Sequence, residues 1–331
     1  NEDIQIIAPF YSNEYLSQLP KEIIFGKKIP HTSPLINSYI FKLNNFLFSR
    51  KIKSLNPDII HETYFFNDYY NSSKSIKIIT IHDMIHEKFP HFFPKKDLTT
   101  YYKKIAIKKA DKIICVSNHT KNDLLKLYKI DEKKVFTVHH GISLNKKNSD
   151  KKKYKKSPFI LYVGSRNIHK NFKVLLKAFC ESKKINQNFN LVLFGGGNLN
   201  DNEIEIIEKY QIDKSRIQIF GGDDKVLKKL YRNATAYVIT SLYEGFGMPI
   251  LEAMNNSCPV IASNKSSIPE VASSAAEYFE PEDVESLKEV LLGIIFNDSK
   301  LKKMIDKGHI RSKDFSWKKT AEQTLNIYNS L

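Results

Sequence analysis

Residues Ser241–Met254 read SLYEGFGMPILEAM and follow a short buried strand, Ala236–Thr240. Gly245 and Gly247 let the backbone turn and approach a ligand closely. Pro249 suits the first turn of a helix. The amides of Gly245–Met248 therefore stand at a helix N-terminus, where aligned N–H groups favour an anion such as phosphate. Glu244 lies in the loop and Glu252 one turn into the helix. Phosphate binding does not account for two carboxylates, which would repel it. They are accounted for if they accept hydrogen bonds from sugar hydroxyls on either side of a phosphate. The same residues also read as a plain strand–turn–helix junction with Glu252 as a favourable early-helix acid. Physical reasoning alone leaves both readings open.

Outward from this loop, short β-branched runs alternate with helical patterns. In the second part of the chain the strand candidates are Phe159–Val163, Leu191–Phe194, Arg216–Phe220, Ala236–Thr240, Pro259–Ala262 and Glu277–Phe279. Helices such as Asn171–Lys184 and Asp201–Tyr210 fall between them. In the first part the candidates are Ile4–Ala8, Asp58–His61, Ile76–Ile81, Lys112–Val116 and Val135–Val138, with helices over Ser38–Lys53, Lys95–Lys109 and Ser117–Tyr128. Several strands are almost continuously apolar, as buried parallel strands are. Strand–helix alternation with right-handed crossovers predicts doubly wound parallel sheets. The fold class is α/β, with two Rossmann-like domains facing a cleft. The highly charged Asn145–Ser157, NKKNSDKKKYKKS, lacks apolar periodicity and reads as a linker. The expected division is 1–148, a linker over 149–157, 158–314, and a last helix in 315–331, whose Trp317, Ala321, Leu325 and Tyr328 recur at helical spacing.

Composition sets outer bounds. At 331 residues, 41% hydrophobic and 27% charged, the chain is a globular protein with room for two cores. The net charge of +16 divides into +9 through Asp150 and +7 beyond, so it is not a basic tail. Such a field attracts anionic lipid surfaces or phosphorylated small molecules, although a lysine-rich proteome alone would also produce it. No nucleic-acid module is recognisable. Cys115, Cys180 and Cys258 are isolated, which points to a reducing cytosol and away from a disulfide framework or a cysteine zinc site. No apolar run is long enough to span a membrane, and no secretory leader is visible.

Two further motifs carry chemistry. Tyr162–Asn171, YVGSRNIHKN, ends a strand at Gly164 and presents Arg166 as a fork and Lys170 as a point charge, a combination suited to a diphosphate; two solvated loop cations is the plain alternative. Phe194–Gly197, FGGG, closes the next strand with Gly195 and Gly196 placed to let a backbone approach a base or ribose, or simply to make a tight turn. Ser117 reads as a helix N-cap. Ser267–Glu270, SIPE, reads as a capping box with proline in the first turn. A zinc site from His82, His86 and His91 is disfavoured, since their spacing needs a helix that a proline interrupts.

EGFGMPILE, with seven residues between Glu244 and Glu252, resembles the E-x7-E signature of retaining glycosyltransferases of the family 4 type, which have the GT-B fold. SLY before it and AMNNSCPVIASNKSSIPEV after it are similar to that family's usual run. The resemblance implies that Glu244 holds the donor sugar, that Glu252 holds ribose hydroxyls, and that Arg166, Lys170 and the loop Gly245, Phe246, Gly247 and Met248 bind the donor diphosphate. It places Gly164, Gly195 and Gly196 near the nucleotide, and RIQIFGG, Arg216–Gly222, along the base pocket. In ITIHDMIHEKFP it implies a donor-sugar contact for His82, with Asp83, His86 and Glu87 on the acceptor side. Ser117 resembles a position near the cleft, and Gly141 one near the donor phosphates. The last helix is expected to cross back to the first domain.

The implied reaction moves a sugar from a nucleotide diphosphate to an acceptor hydroxyl with retention. No metal and no cofactor beyond the nucleotide-sugar donor are expected. The tract HDMIHEKFP, together with VGSRNIHKN, is most similar to transferases of O-antigen and capsule pathways, some of which use GDP-mannose. That implies a glycan or lipid-linked acceptor, a cytoplasmic location peripheral to the inner membrane face, and no nucleic-acid partner. Against the family, the start of the chain lacks a first strand, glycine-rich turn and helix, an expectation of about 30–40 missing residues. The competing readings are a non-catalytic nucleotide-sugar-binding protein and a UDP-sugar 2-epimerase on the same fold, the latter disfavoured by the E-x7-E loop.

Overall fold

A computed structural model describes residues 3–30, 33–65, 74–144 and 158–331. The expected linker over 149–157 lies outside the described residues. The described chain divides into two compact units, one formed by Asn1–Thr80, Lys95–Ile114 and Leu331, the other by Ile81–Pro94 and Cys115–Ser330.

The second unit contains a six-stranded sheet built from β7 (Phe159–Val163), β8 (Asn190–Phe194), β9 (Ile217–Phe220), β10 (Ala236–Ile239), β11 (Val260–Ser263) and β12 (Ala276–Phe279). Its order is β12-β11-β10-β7-β8-β9, and every neighbouring pair is parallel. Four of these strands read FILYV, NLVLF, AYVI and VIAS, nearly continuous apolar runs, because helices cover both faces. The two-residue period sorts them: Leu161 and Tyr237 join one buried cluster, Ile160, Tyr162 and Val238 the other. The chain runs outward from β7 through β8 and β9, then returns to β10 on the other side of β7. The strand order therefore reverses between β7 and β10, and the loops leaving their carboxyl ends diverge. That is where a doubly wound sheet opens a crevice for a ligand.

The remaining strands are β1 (Ile6–Tyr11), β2 (Ile24–Lys28), β3 (Ile59–Glu62), β4 (Ile76–Ile81), β5 (Lys112–Cys115) and β6 (Val135–Thr137). β1 and β2 pair in parallel, and β3-β4-β5-β6 form a four-stranded sheet. β2, IFGKK, was not expected, since it carries a glycine and two lysines. Gly26 is needed there because a Cβ would lie 1.8 Å from the Ala8 carbonyl oxygen. The helix expected over Ser38–Lys53 spans Pro34–Leu55 and ends on Asn56 in the left-handed conformation. The single helix expected over Asn171–Lys184 is two, Phe172–Glu181 and Lys183–Asn188, broken at Ser182. The Asn186 amide donates to the carbonyls of Phe179 and Cys180, which the break leaves without helical donors. Among the described residues no helix is long and apolar enough to cross a membrane.

Candidate functional site

The loops after β7 and β10 are stitched together at the point of strand reversal. Thr240 Oγ1 donates to the Lys170 carbonyl at 2.6 Å, and the Leu242 amide donates to the His169 carbonyl at 2.8 Å. These bonds bring Lys170 and Glu244 together: Lys170 Nζ lies 2.7 Å from Glu244 Oε1, which also accepts from Ser241 Oγ at 2.6 Å. Their side chains keep 26% and 15% of their exposure, so the pair is reachable from solvent.

The Glu244 backbone is gripped from its other side. Its amide donates to Ser266 Oγ at 3.0 Å, and the hydroxyls of Ser266 and Ser267 both donate to its carbonyl. One residue on, Gly245 packs against His82 so closely that a Cβ would lie 1.7 Å from the His82 carbonyl oxygen. Ser117 Oγ donates to the Gly245 carbonyl at 2.7 Å while also accepting from the Thr120 amide, as the N-cap reading expects. Gly247 has φ +99°, a conformation natural to glycine, and the helix Met248–Asn255 starts directly after it with Pro249 in its first turn. The half-buried Glu252 accepts from Tyr231 Oη at 3.2 Å. Burial raises its pKa above the ordinary carboxylate value, Asp224 adds to this, and the Tyr231 hydrogen bond and Lys228 only partly oppose it.

The Arg166 guanidinium is bonded within the protein. Nε bonds both oxygens of Glu203 at 2.9 and 3.1 Å, Nη1 donates to the Gly195 carbonyl, and Nη2 donates to the carbonyls of Gly197 and Asn198. The side chains of Arg166 and Glu203 keep only 4% and 9% exposure. Arginine is used because the FGGG turn leaves several carbonyls aimed at one place and only a planar fork reaches them together. Gly195, Gly196 and Gly197 have φ of +85°, +77° and +72°, and a Cβ on Gly196 would sit 2.7 Å from Arg166 Nη1. Gly164, at φ +124°, has open space where its Cβ would be. The Phe246 ring is buried against His139, His140 and Phe315. Met248 is partly buried against the same cluster.

The residues named in the first part of the chain are placed as follows. His82 stacks on His140 with ring centroids 5.6 Å apart. Burial, then the neighbouring His82 and His139, pushes His140 down to about 4, so His140 is neutral at pH 7. Asp83 Oδ1 accepts from the Ile85 amide at 3.1 Å, and His86 stacks on Phe93 at 3.7 Å. Glu87 adds its charge to the burial that lifts Tyr128 to about 12. His169 was missed. Burial first, then Lys170, lowers its pKa, while Glu244 and Asp83 act in the opposite sense.

Ser267–Glu270 is not a capping box. Ser267 Oγ is spent on the carbonyls of Glu244 and Phe246, and Glu270 turns away to accept from the amides of Asn118 and His119 at 2.8 and 2.9 Å and from His139 Nε2 at 2.7 Å. Burial would raise the Glu270 pKa, but these three bonds outweigh it and hold the carboxyl below its ordinary value. Gly141 has its own local reason: a Cβ there would lie 2.0 Å from the Trp317 amide nitrogen, at the start of the last helix, Trp317–Asn329. Among the described residues no three His, Cys, Asp or Glu side chains are grouped to hold a metal ion.

The second unit is a doubly wound sheet with an acidic and a cationic group at its strand reversal, beside a glycine-rich helix N-terminus. Comparison with known proteins narrows the class. The description "Glycosyl transferases group 1" matches residues 145–311, about half of the chain, and "Glycosyltransferase Family 4" matches residues 3–146. The chain belongs to the group 1, family 4 glycosyltransferases, and its architecture is GT-B. It is 28% identical over 268 residues to O-antigen chain mannosyltransferase B of Escherichia coli, covering 77% of this chain and 70% of that one. It is 30% identical over 222 residues to O-antigen chain mannosyltransferase RfbU of Salmonella typhimurium, covering 65% of this chain and 60% of that one. Among solved structures, a glycosyltransferase from Rickettsia africae superposes with a TM-score of 0.69 at 23% identity, over 96% of this chain and 88% of that one. WaaG, a glycosyltransferase involved in lipopolysaccharide biosynthesis, superposes with a TM-score of 0.70 at 16% identity, over 93% and 87%.

Proposed function

We propose that this glycosyltransferase moves a sugar, with retention of configuration, from a nucleotide-diphosphate donor of the GDP-mannose or UDP-sugar type to a glycan or lipid-linked acceptor in surface polysaccharide synthesis. The observation that carries the proposal is the Lys170–Glu244 pair set at the strand reversal between β7 and β10. Relatives whose names describe O-antigen mannosyltransferases support the mannose-type donor and the polysaccharide acceptor.

In this reading the 158–314 region holds the donor. Lys170 exchanges Glu244 for the diphosphate, and the amides of Gly245–Met248 complete the anion site at the helix N-terminus. Glu244, released from Lys170, accepts a hydroxyl of the donor sugar, and Glu252 accepts from the ribose. Glu252 suits neutral hydroxyl partners, since its burial already disfavours charge. His82 faces the donor sugar, and Asp83, His86 and Glu87 shape the acceptor side. As the glycosidic bond breaks, negative charge grows on the leaving nucleoside diphosphate. Lys170 and the loop amides stabilise it there without reorganising, so the reaction proceeds without a bound metal. The protein works in the cytoplasm against the inner membrane face, where its net charge of +16 favours anionic lipid.

A thermal-shift screen with GDP, UDP, dTDP and ADP and their sugars, in EDTA, tests the reading. A ligand at about 100 times its dissociation constant adds about 2.7 kcal/mol of stability. A shift with one nucleotide names the base. No shift with any, in a cooperatively folded sample, removes the donor site.

A further inference from the structure

Asp123 is a buried carboxylate, 4% exposed, inside the helix Asn118–Leu127 and outside every motif named above. Lys88 Nζ lies 2.9 Å from Oδ1, His119 Nε2 lies 3.1 Å from Oδ2, and Oδ2 accepts from Tyr243 Oη at 2.8 Å. Tyr243, 2% exposed, immediately precedes Glu244. Its hydroxyl also accepts from the Met84 amide at 3.3 Å, and its ring meets Phe89, His119 and Lys88. Burial opposes the Asp123 charge, but Lys88, His119 and Tyr243 beside it outweigh that and pull its pKa down to about 2, so it is ionised throughout the working range.

Packing alone does not require this arrangement. A phenylalanine at 243 would fill the same space, and buried ionic groups are often replaceable by apolar ones without loss of stability. What the hydrogen bonds add is direction. Lys88 and His119 fix the carboxylate, and the carboxylate fixes the tyrosine hydroxyl. On the other side of residue 243, Leu242 is tied to His169, and Glu244 to Ser266 and Ser267. We infer that Asp123 and Tyr243 are positioning residues: their hydrogen bond sets the backbone of the Glu244 loop, and through it the Glu244 carboxylate. The kinetic part of this inference rests on the function proposed above; the structural part does not.

Hydrogen–deuterium exchange on the full chain, comparing wild type with Tyr243→Phe, separates the two. The expected result is at least a tenfold rise in amide exchange confined to 241–248, with the rest of the second unit unchanged. In parallel, release of GDP from GDP-mannose falls about tenfold in kcat while KM stays within twofold. Asp123→Asn shows the same loop-confined loosening, and the double variant is no worse than the worse single one. If Asp123→Asn does not fold, Tyr243→Phe decides alone. Unchanged exchange over 241–248 in Tyr243→Phe, or loosening spread evenly over the unit, overturns the inference whatever the turnover. Loop-confined loosening in a protein that turns over no nucleotide-sugar overturns the proposed function and leaves the positioning pair standing.

Discussion

Two ion pairs lie within a few residues of each other on the loop after β7, and they do opposite things. Arg166–Glu203 is sealed, with every nitrogen of the guanidinium bonded inside the protein. Lys170–Glu244 is partly open, a point charge against a carboxylate, each with capacity to spare. The first pair builds a turn; the second stays within reach of solvent. Two cations on one loop are told apart only by the partners the folded chain gives them.

The largest expected effect falls on the sealed pair. Arg166→Ala leaves Glu203 buried without its partner and three turn carbonyls without a donor, so unfolding by denaturant should show a loss of about 3–5 kcal/mol. Wild-type stability in this variant would break the contrast. Next comes the open pair. Glu244→Ala should keep the wild-type melting temperature within a few degrees and lower transfer about a hundredfold or more. A variant with wild-type turnover would take Glu244 out of its assigned role. Gly196→Ala sharpens the comparison from the backbone side. Its Cβ would meet Arg166, and φ of +77° is strained for alanine, so a loss of about 1–3 kcal/mol is expected by thermal unfolding.

The smallest effect concerns Glu270. Its folded pKa lies below the ordinary value, so its stabilisation is present above about pH 4.3 and is lost as pH falls through the lower folded value. Glu270→Gln should remove that acid dependence at a cost of about 1 kcal/mol or less at pH 7. Unfolding curves of both proteins from pH 3 to 7 check this, and parallel curves would deny Glu270 any part in it.

The frame was legible because buried parallel strands announce themselves. FILYV at Phe159–Val163 and IKIITI at Ile76–Ile81 are apolar enough to fix both ends of each strand. β2 escaped because Gly26 and two lysines dilute its signal, and its place depends on a close approach to Ala8. At the candidate site, the turn at Gly247 and the helix start with Pro249 were legible from local residue preferences, whereas the two glutamates were singled out only by resemblance to the E-x7-E run. The partner of each charge was not legible. Glu203 sits three residues after Asn200 in a true capping box, a local signal that marks the helix start but not its reach to Arg166. Asp123, Ser266 and Glu270 act across 120, 22 and 152 residues of sequence, where only the folded chain sets the distance.

In the proposed mechanism Lys170 exchanges Glu244 for a diphosphate. Calorimetric titration of GDP and UDP, in EDTA, into wild type and Lys170→Met tests it most directly. The prediction is metal-free binding by wild type and an affinity about tenfold weaker or worse in Lys170→Met, in a variant that unfolds like wild type. Equal affinity in the two proteins would contradict it.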